Sequence, residues 1–393
     1  MHNFVQQDIG GITNWIQNEY KNRIEKIKQL KKCTKCLLPE TMPFIEFDSE
    51  GVCNYCKNYK KIELKGKKEL EVELQKFRNN QAKGHDCIMT FSGGRDSSYA
   101  LHYIKNEMKM NPLVYTYDWG MITDIGNRNM RKMVKELDLE HVLIKANIDR
   151  KRENIRLNIN AWLRRPNLGT VPLFMAGDKQ YFYHAGKLSK ERNLDLVILS
   201  ENLLEITDFK TGFCGVKPKH LEGKKFYSLN LASLFKLLAF YGKEYLLNLS
   251  YINKSLFDSI GAFGSYYVMP HKLLSLYSYI EWDEETIEDI LINQYGWEKA
   301  KDSNTTWRIG DGTAAFYNYI YYMLAGFSEI DTFRSNQIRE GKMSREEAVT
   351  RAEKENMPRI ESMLWYAQVV GFDLLNALKI INSQTPLYEK ESD

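Results

Sequence analysis

The sequence predicts an α/β protein built on a doubly wound, mostly parallel sheet, with a cysteine-bearing lobe before it and a helical region after it. Three observations carry this reading. Short apolar runs alternate with helix-like stretches between residues 86 and 200, the first run ends in a glycine- and hydroxyl-rich turn, and two Cys-x-x-Cys pairs stand upstream. At 393 residues the chain has room for two or three modules.

The leading segment places Ile12, Trp15, Ile16, Tyr20, Ile24 and Ile27 at spacings of three and four, which is one stripe of a helix. It reads as an extension over residues 1–32 that docks on its own chain. Cys33-Thr-Lys-Cys36 follows, then sixteen residues, then Cys53-Asn-Tyr-Cys56. This spacing predicts a tetrahedral zinc site in a lobe over residues 33–60, with Cys33, Cys36, Cys53 and Cys56 as the ligands. Four protein thiolates leave no position for water or substrate, so the metal is structural; iron–sulfur ligation by the same residues is the alternative.

The next unit is read over 61–230. A helical stripe over 68–79 leads into strand-like runs at 86–91, 113–118, 141–146 and 195–200, separated by helix-like stretches near 98–109, 124–138 and 179–192. That order implies βαβ units and a parallel sheet, whose ligands sit beyond the carboxyl ends of the strands. Residues 231–393 read as helical. A helix at 284–295 stops at Gly296, a capping box Ser344-Arg-Glu-Glu347 opens a helix to about Lys354, and Pro358 opens another carrying Ile360 and Leu364.

Charge narrows the function. With 55 basic against 51 acidic residues the net charge is +4, too small for the positive field of a dedicated nucleic-acid binder. The N-terminus lacks the order of a signal peptide, and the most apolar stretch, Leu231 to Tyr241, is interrupted by Lys236 and too short to span a bilayer. The expectation is a cytoplasmic protein with reduced cysteines and no membrane or nucleic-acid partner.

The turn after the first strand reads Ser92-Gly-Gly-Arg-Asp-Ser-Ser98. A strand-to-helix turn of this kind aims free N–H groups and the positive end of a helix dipole at one point, which suits phosphate. It is neither a Walker loop nor a dinucleotide-binding turn. It resembles the Ser-Gly-Gly-x-Asp-Ser loop of the ATP pyrophosphatase superfamily. That resemblance implies a doubly wound sheet that binds ATP and splits it between the α and β phosphates, leaving AMP on a carbonyl oxygen. Ser92, Gly93, Gly94, Ser97 and Ser98 would then cradle the pyrophosphate, and Asp96 would hold magnesium or order the loop.

The nucleophile that displaces AMP is a separate question. Sulfur is one candidate, because tRNA thiolases of the superfamily also carry cysteine knuckles, yet only Cys87 and Cys214 remain outside the two pairs here. Ammonia is the other. His220-Leu-Glu222 looks like the pair of a triad glutaminase but follows Cys214 by only six residues, so ammonia would come from a separate subunit or from solution. A non-catalytic protein that senses nucleotide through the loop is a third reading.

Residues 33 to 56 as a whole, with the loop, resemble the N-acetyl sugar amidotransferase family of surface polysaccharide and nonulosonic-acid biosynthesis. Trp307-Arg-Ile-Gly-Asp-Gly-Thr-Ala-Ala-Phe-Tyr-Asn and the segment from Phe333 to Ala348 also look like that family. The family implies ATP-dependent conversion of a sugar's acetamido group to an acetamidino group, with ammonia from a partner glutaminase and a cyclase-like subunit guiding it. Asp118, at a strand end, is then a candidate for adenosine or magnesium. Glu201 and Asn202 are candidates for the substrate amide, and Trp307, Arg308, Asp311 and Asn318 for a sugar pocket. Arg164, Arg165 and Lys210 read as solvated surface.

Overall fold

The computed structural model describes residues 9–78, 84–206, 208–218, 229–268 and 273–389. Five strands form one sheet: β1 (Cys87–Thr90), β2 (Pro112–Asp118), β3 (His141–Lys145), β4 (Val197–Leu199) and β5 (Leu273–Ser275). Their order is β3-β2-β1-β4-β5 and every pairing is parallel. The chain runs outward from β1 through β2 to β3, then returns to the far side of β1 as β4. The turns after β1 and β4 therefore part in opposite directions and leave a crevice at the carboxyl edge. Alternate side chains enter opposite cores, Ile88, Tyr115 and Tyr117 one of them and Cys87, Met89, Val114 and Ile198 the other.

Before the sheet lie α1 (Ile9–Gln29), the single-turn α2 (Asn54–Lys57) and α3 (Lys67–Gln75). Helices α4 (Arg95–His102), α5 (Asp124–Glu136), α6 (Ile148–Arg164) and α7 (Tyr181–Arg192) cover the sheet, and α8 (Phe209–Gly212) is a single turn. After it come α9 (Leu231–Leu247), α10 (Ser255–Phe263), α11 (Glu284–Asp289), α12 (Ala314–Ala325), α13 (Glu329–Glu340), α14 (Arg345–Glu355), α15 (Ile360–Val370) and α16 (Leu374–Ser383). The four expected strands and the three expected covering helices are present. Two elements differ from the sequence reading: α6, which it did not contain, and β5, which arises within the region read as helical and extends the sheet beyond β4.

The expected stripe on α1 is buried at Ile12, Ile16 and Ile27, each contributing roughly 1.5–3 kcal/mol of burial, and Tyr20 stacks on Tyr322 of α12. Arg23 fastens the helix by donating to the carbonyls of Met323 and Asn382. The helix thus docks on its own chain. Ser344 caps α14 through the Glu347 N–H at 3.1 Å, while the reciprocal two-way box belongs to Ser328 and Asp331 at the start of α13. Gly296, at φ +60, closes the helical segment begun by α11. No single helix among the described residues is long and apolar enough to cross a membrane.

Candidate functional site

The turn Ser92–Gly94 leaves the buried strand β1 and enters α4. Gly93 has φ +74, and a Cβ there would lie 2.4 Å from Met130 Cγ and 2.7 Å from the Gly126 carbonyl oxygen, so only glycine fits. Gly310 packs against Gly94 and Gly126, with its added-Cβ position 3.7 Å from the Gly94 nitrogen, and this brings the segment 307–313 over the turn. The first hydrogen bond inside α4 runs from the Ser98 N–H to the Gly94 carbonyl at 3.0 Å. The N–H groups of Arg95, Asp96 and Ser97 precede it and point out of the helix start. The Ser92 and Ser97 hydroxyls lie 3.0 Å apart and satisfy each other.

Arg95, the variable position of the expected motif, is the turn's anchor. Its side chain is buried, donates to Glu284 at 2.8 Å, Thr306 at 3.0 Å and Asp96 at 2.9 Å, and lies over the Trp282 ring. Glu284 in turn accepts from Arg334, which also pairs with Glu355 and donates to Gln337. Burial would raise the Glu284 carboxyl, but Arg95 and Arg334 outweigh it and hold it at about 2. Asp96 is fixed by Trp282 Nε1, which donates to Oδ1 at 2.9 Å, while the Tyr277 hydroxyl donates to its backbone carbonyl at 2.8 Å.

Glu205, which sequence reasoning missed, meets Asp96 across the crevice. It ends a short turn after β4 that is capped by Asn202, whose Oδ1 accepts from the Leu204 N–H at 2.9 Å. Its carboxyl hydrogen-bonds that of Asp96 and accepts from Trp307 Nε1 at 2.7 Å and Arg308 at 3.3 Å. Burial, joined by the Asp96 charge, pushes Glu205 up to about 8 against the opposing pull of Arg308 and Arg95. At neutral pH Glu205 therefore holds a proton.

These groups open into a cavity of about 950 Å³ lined by Ser92, Gly94, Asp96 and Ser97 and, facing them, Glu201, Asn202, Arg308 and Asp311. With Trp307, which also lines it, nine of the expected residues thus share one space. Asn202 Nδ2 has no hydrogen-bond partner, which leaves a donor available, whereas Glu201 accepts from the Tyr181 hydroxyl at 2.7 Å. Arg308, at φ +48, pairs with Glu205 and with Glu329 at 3.2 Å. Asp311 accepts from the Thr313 N–H at 2.9 Å, and burial raises its carboxyl.

Other expected residues are placed elsewhere. Asp118 does not line the cavity; its carboxylate accepts from the Gly120 N–H at 2.9 Å and shapes the turn after β2. Gly93 and Ser98 lie behind the turn, Ser98 fully buried with an unpartnered hydroxyl. Asn318 holds the start of α13 through the Glu329 N–H, whereas Trp307 does line the cavity, buried beside Phe333 and donating to Glu205. Lys210, read from sequence as surface, lines the cavity, pairs with Glu329 and lies 4.5 Å from the centre of the Tyr317 ring. Lys179 joins it on the cavity wall beside Asp178 at 3.2 Å. Cys214 reaches the cavity, but burial pushes its thiol up to about 12. His220 and Glu222 lie outside the described residues.

Cys33, Cys36, Cys53 and Cys56 converge as expected. All four are buried and their sulfurs lie within 4.8 Å of one another, with Cys33–Cys56 at 3.9 Å and Cys36–Cys53 at 3.8 Å. A tetrahedron with zinc–sulfur bonds of about 2.3 Å has edges of about 3.8 Å, so the four thiols fit a zinc ion. Arg339 of α13 donates to Cys36 and Cys56, each at 3.3 Å, and the Cys53 N–H donates to Cys33 at 3.2 Å. These donors stabilise thiolate. Hydrogen bonds from the other three thiols lower Cys33; burial opposes ionisation of Cys36, yet Cys53, Cys56 and Arg339 bring it to about 6. The protons gather on Cys53 and Cys56, whose thiols the same contacts raise. A bound cation would displace them.

No family model matches the chain. It is similar to an uncharacterized protein of Methanocaldococcus jannaschii, 34% identical over 121 residues, which is 29% of this chain and 42% of that protein. The chain thus spans less than half the length of this relative.

Proposed function

We propose that the chain is the synthetase subunit of an ATP-dependent sugar amidotransferase, an AMP-forming carbon–nitrogen ligase of the pyrophosphatase-loop type. The observation that supports this most is the position of the Ser92–Ser98 turn, with Asp96, at the edge where strand order reverses, opening into a cavity large enough for a nucleotide and a sugar together. The Arg95, Asp96 and Ser97 N–H groups and the Ser92 and Ser97 hydroxyls receive the pyrophosphate portion of ATP. Lys179, Lys210 and Arg308 supply the positive charge for its oxygens. Asp96 and Glu205, whose carboxyls meet, are the donors that would hold magnesium, which favours carboxylate and phosphate oxygens and would offset the charge of the departing pyrophosphate.

The acetamido oxygen attacks the α-phosphorus and pyrophosphate leaves. Ammonia then adds to the activated carbon, AMP departs with the former amide oxygen, and C=O has become C=NH. Asn202 Nδ2 is the free donor placed to orient the amide, and Glu205 is the group that exchanges a proton in this space. Ammonia comes from a separate glutaminase subunit, with a cyclase-like subunit as its guide. The raised Cys214 thiol is poorly suited to sulfur transfer, which needs thiolate.

The test is release of AMP and pyrophosphate from ATP, magnesium and ammonium chloride, assayed across acetamido sugars and unmodified tRNA. Sugar-dependent release that disappears in Asp96→Ala supports the reading. Release with tRNA alone moves the protein to the thiolases, and ATP binding without any turnover makes it a nucleotide sensor.

A further inference from the structure

We propose that the outward face of α9 and α10 is a docking surface for an anionic phospholipid bilayer, on which the protein lies without crossing it. Helix α9 is built the reverse way from an ordinary surface helix. Its solvent side carries Leu231, Phe235, Leu238, Leu246 and Leu247, while its single acidic residue, Glu244, is turned inward against Arg165. The segment continues through Leu249 and into α10 with Phe257. Leu231, Phe235, Leu246, Leu249 and Phe257 are each 65% exposed or more. Nine of the fifteen exposed large apolar residues in the described chain fall between 231 and 260, so this is one patch rather than scatter.

Charge selects the occupant. The exposed charged residues of the two helices and their link are Lys236, Lys243 and Lys254, all cationic. Lys236 and Lys243 form no ion pair with a described residue, and Lys254 is loosely paired with Glu153 at 3.6 Å. The acids carried by the two helices themselves face the interior, Glu244 toward Arg165 and Asp258 toward Lys151 and Gln180. Apolar side chains interspersed with lysines on one outward stripe are what an interfacial helix presents to anionic headgroups and the acyl boundary beneath them. A two-fold contact of this face with a second copy would set lysine against lysine. Leu238, Gly242 and Ile260 also line the cavity, so the patch borders its apolar end and the bilayer would sit at that rim. The surface is separate from the chemistry proposed above and does not depend on it.

The experiment is flotation of the full chain with vesicles of equal parts phosphatidylcholine and phosphatidylglycerol, compared with phosphatidylcholine alone. The protein is expected to float with the anionic vesicles at low salt and at least about tenfold less with the neutral ones. Each lysine is worth roughly a fivefold change in partition, so Lys236→Gln/Lys243→Gln/Lys254→Gln lowers binding about 100-fold. Phe235→Ser/Leu246→Ser/Phe257→Ser abolishes it with unchanged circular dichroism. Should that variant fail to fold, hydrogen exchange of the unaltered protein decides, with vesicle-induced protection expected within 231–260. Absence of flotation, flotation unchanged by either variant, or protection confined to other segments overturns the proposal. So does a dimer that the serine variant converts to monomer while vesicles stay unbound.

Discussion

Glu284→Gln tests whether the turn Ser92–Ser98 is held from behind by a buried ion-pair network. The Glu284 carboxylate is buried, receives Arg95 of the turn at 2.8 Å, and also receives Arg334. Its ionisation is held at about 2, against 4.5 for an ordinary glutamate carboxyl. A difference of that size is worth about 3 kcal/mol, within the roughly 3–5 kcal/mol lost when one partner of a buried pair is removed. At about 2.1 cal/mol/K per residue, unfolding entropy for a chain of this length is roughly 0.8 kcal/mol/K, so melting should fall by about 4 °C at pH 7. The folded ionisation lies below the unfolded one, so this stability is present above about pH 4.5 and lost as pH falls toward 2. The gap between variant and parent should therefore narrow in acid. Differential scanning calorimetry is the assay, with Glu285→Gln, whose side chain is 86% exposed, as the control. A Glu284→Gln protein that melts within about 1 °C of the parent would refute the anchoring argument.

Glu205 titrates in the opposite sense. Its folded ionisation, about 8, lies above the ordinary glutamate value of 4.5, so the protein loses stability as pH rises between those values; Glu205→Gln should gain melting temperature relative to the parent from pH 5 to pH 8. A gap that stays flat with pH would show that the Asp96 contact does not hold the proton. Gly93→Ala should cost about 2–4 kcal/mol, from φ +74 and the clash with Met130 and Gly126, and should weaken ATP binding at least about tenfold by calorimetric titration. Metal analysis should find one zinc per chain, lost in Cys33→Ser together with cooperative melting; a zinc-free, fully folded parent protein would sink the cage.

How far the sequence revealed the structure follows from what signals locally. The cysteine pairs carry their geometry in their spacing, and the turn at 92–98 carries its geometry in Gly93, so both were legible. Helix α6 was not, because Ile148, Ile155, Ile159 and Trp162 are separated by a run of charged residues. The cap at Asn147, which accepts from the Arg150 N–H at 3.0 Å, was the available signal. Strand β5 is three residues long and has no periodicity to read. Glu205 and Lys210 escaped because their roles come from tertiary partners, Asp96 and Arg308 for one and Glu329 for the other. Asp118 shows how ambiguous a strand-end carboxylate is in sequence, since it can serve its own turn as readily as a ligand. Arg339 shows the same limit, since 283 residues separate it from the Cys56 sulfur to which it donates.

The most direct test of the amidotransferase account follows one oxygen atom. An acetamido sugar carrying heavy oxygen in its amide is incubated with the protein, ATP, magnesium and ammonium chloride, and the sugar and AMP are weighed by mass spectrometry. The account predicts that the label appears in the phosphate of AMP and that the sugar emerges with that oxygen replaced by NH. Label retained in the sugar while AMP forms, or ATP turnover that ignores the sugar, would contradict it.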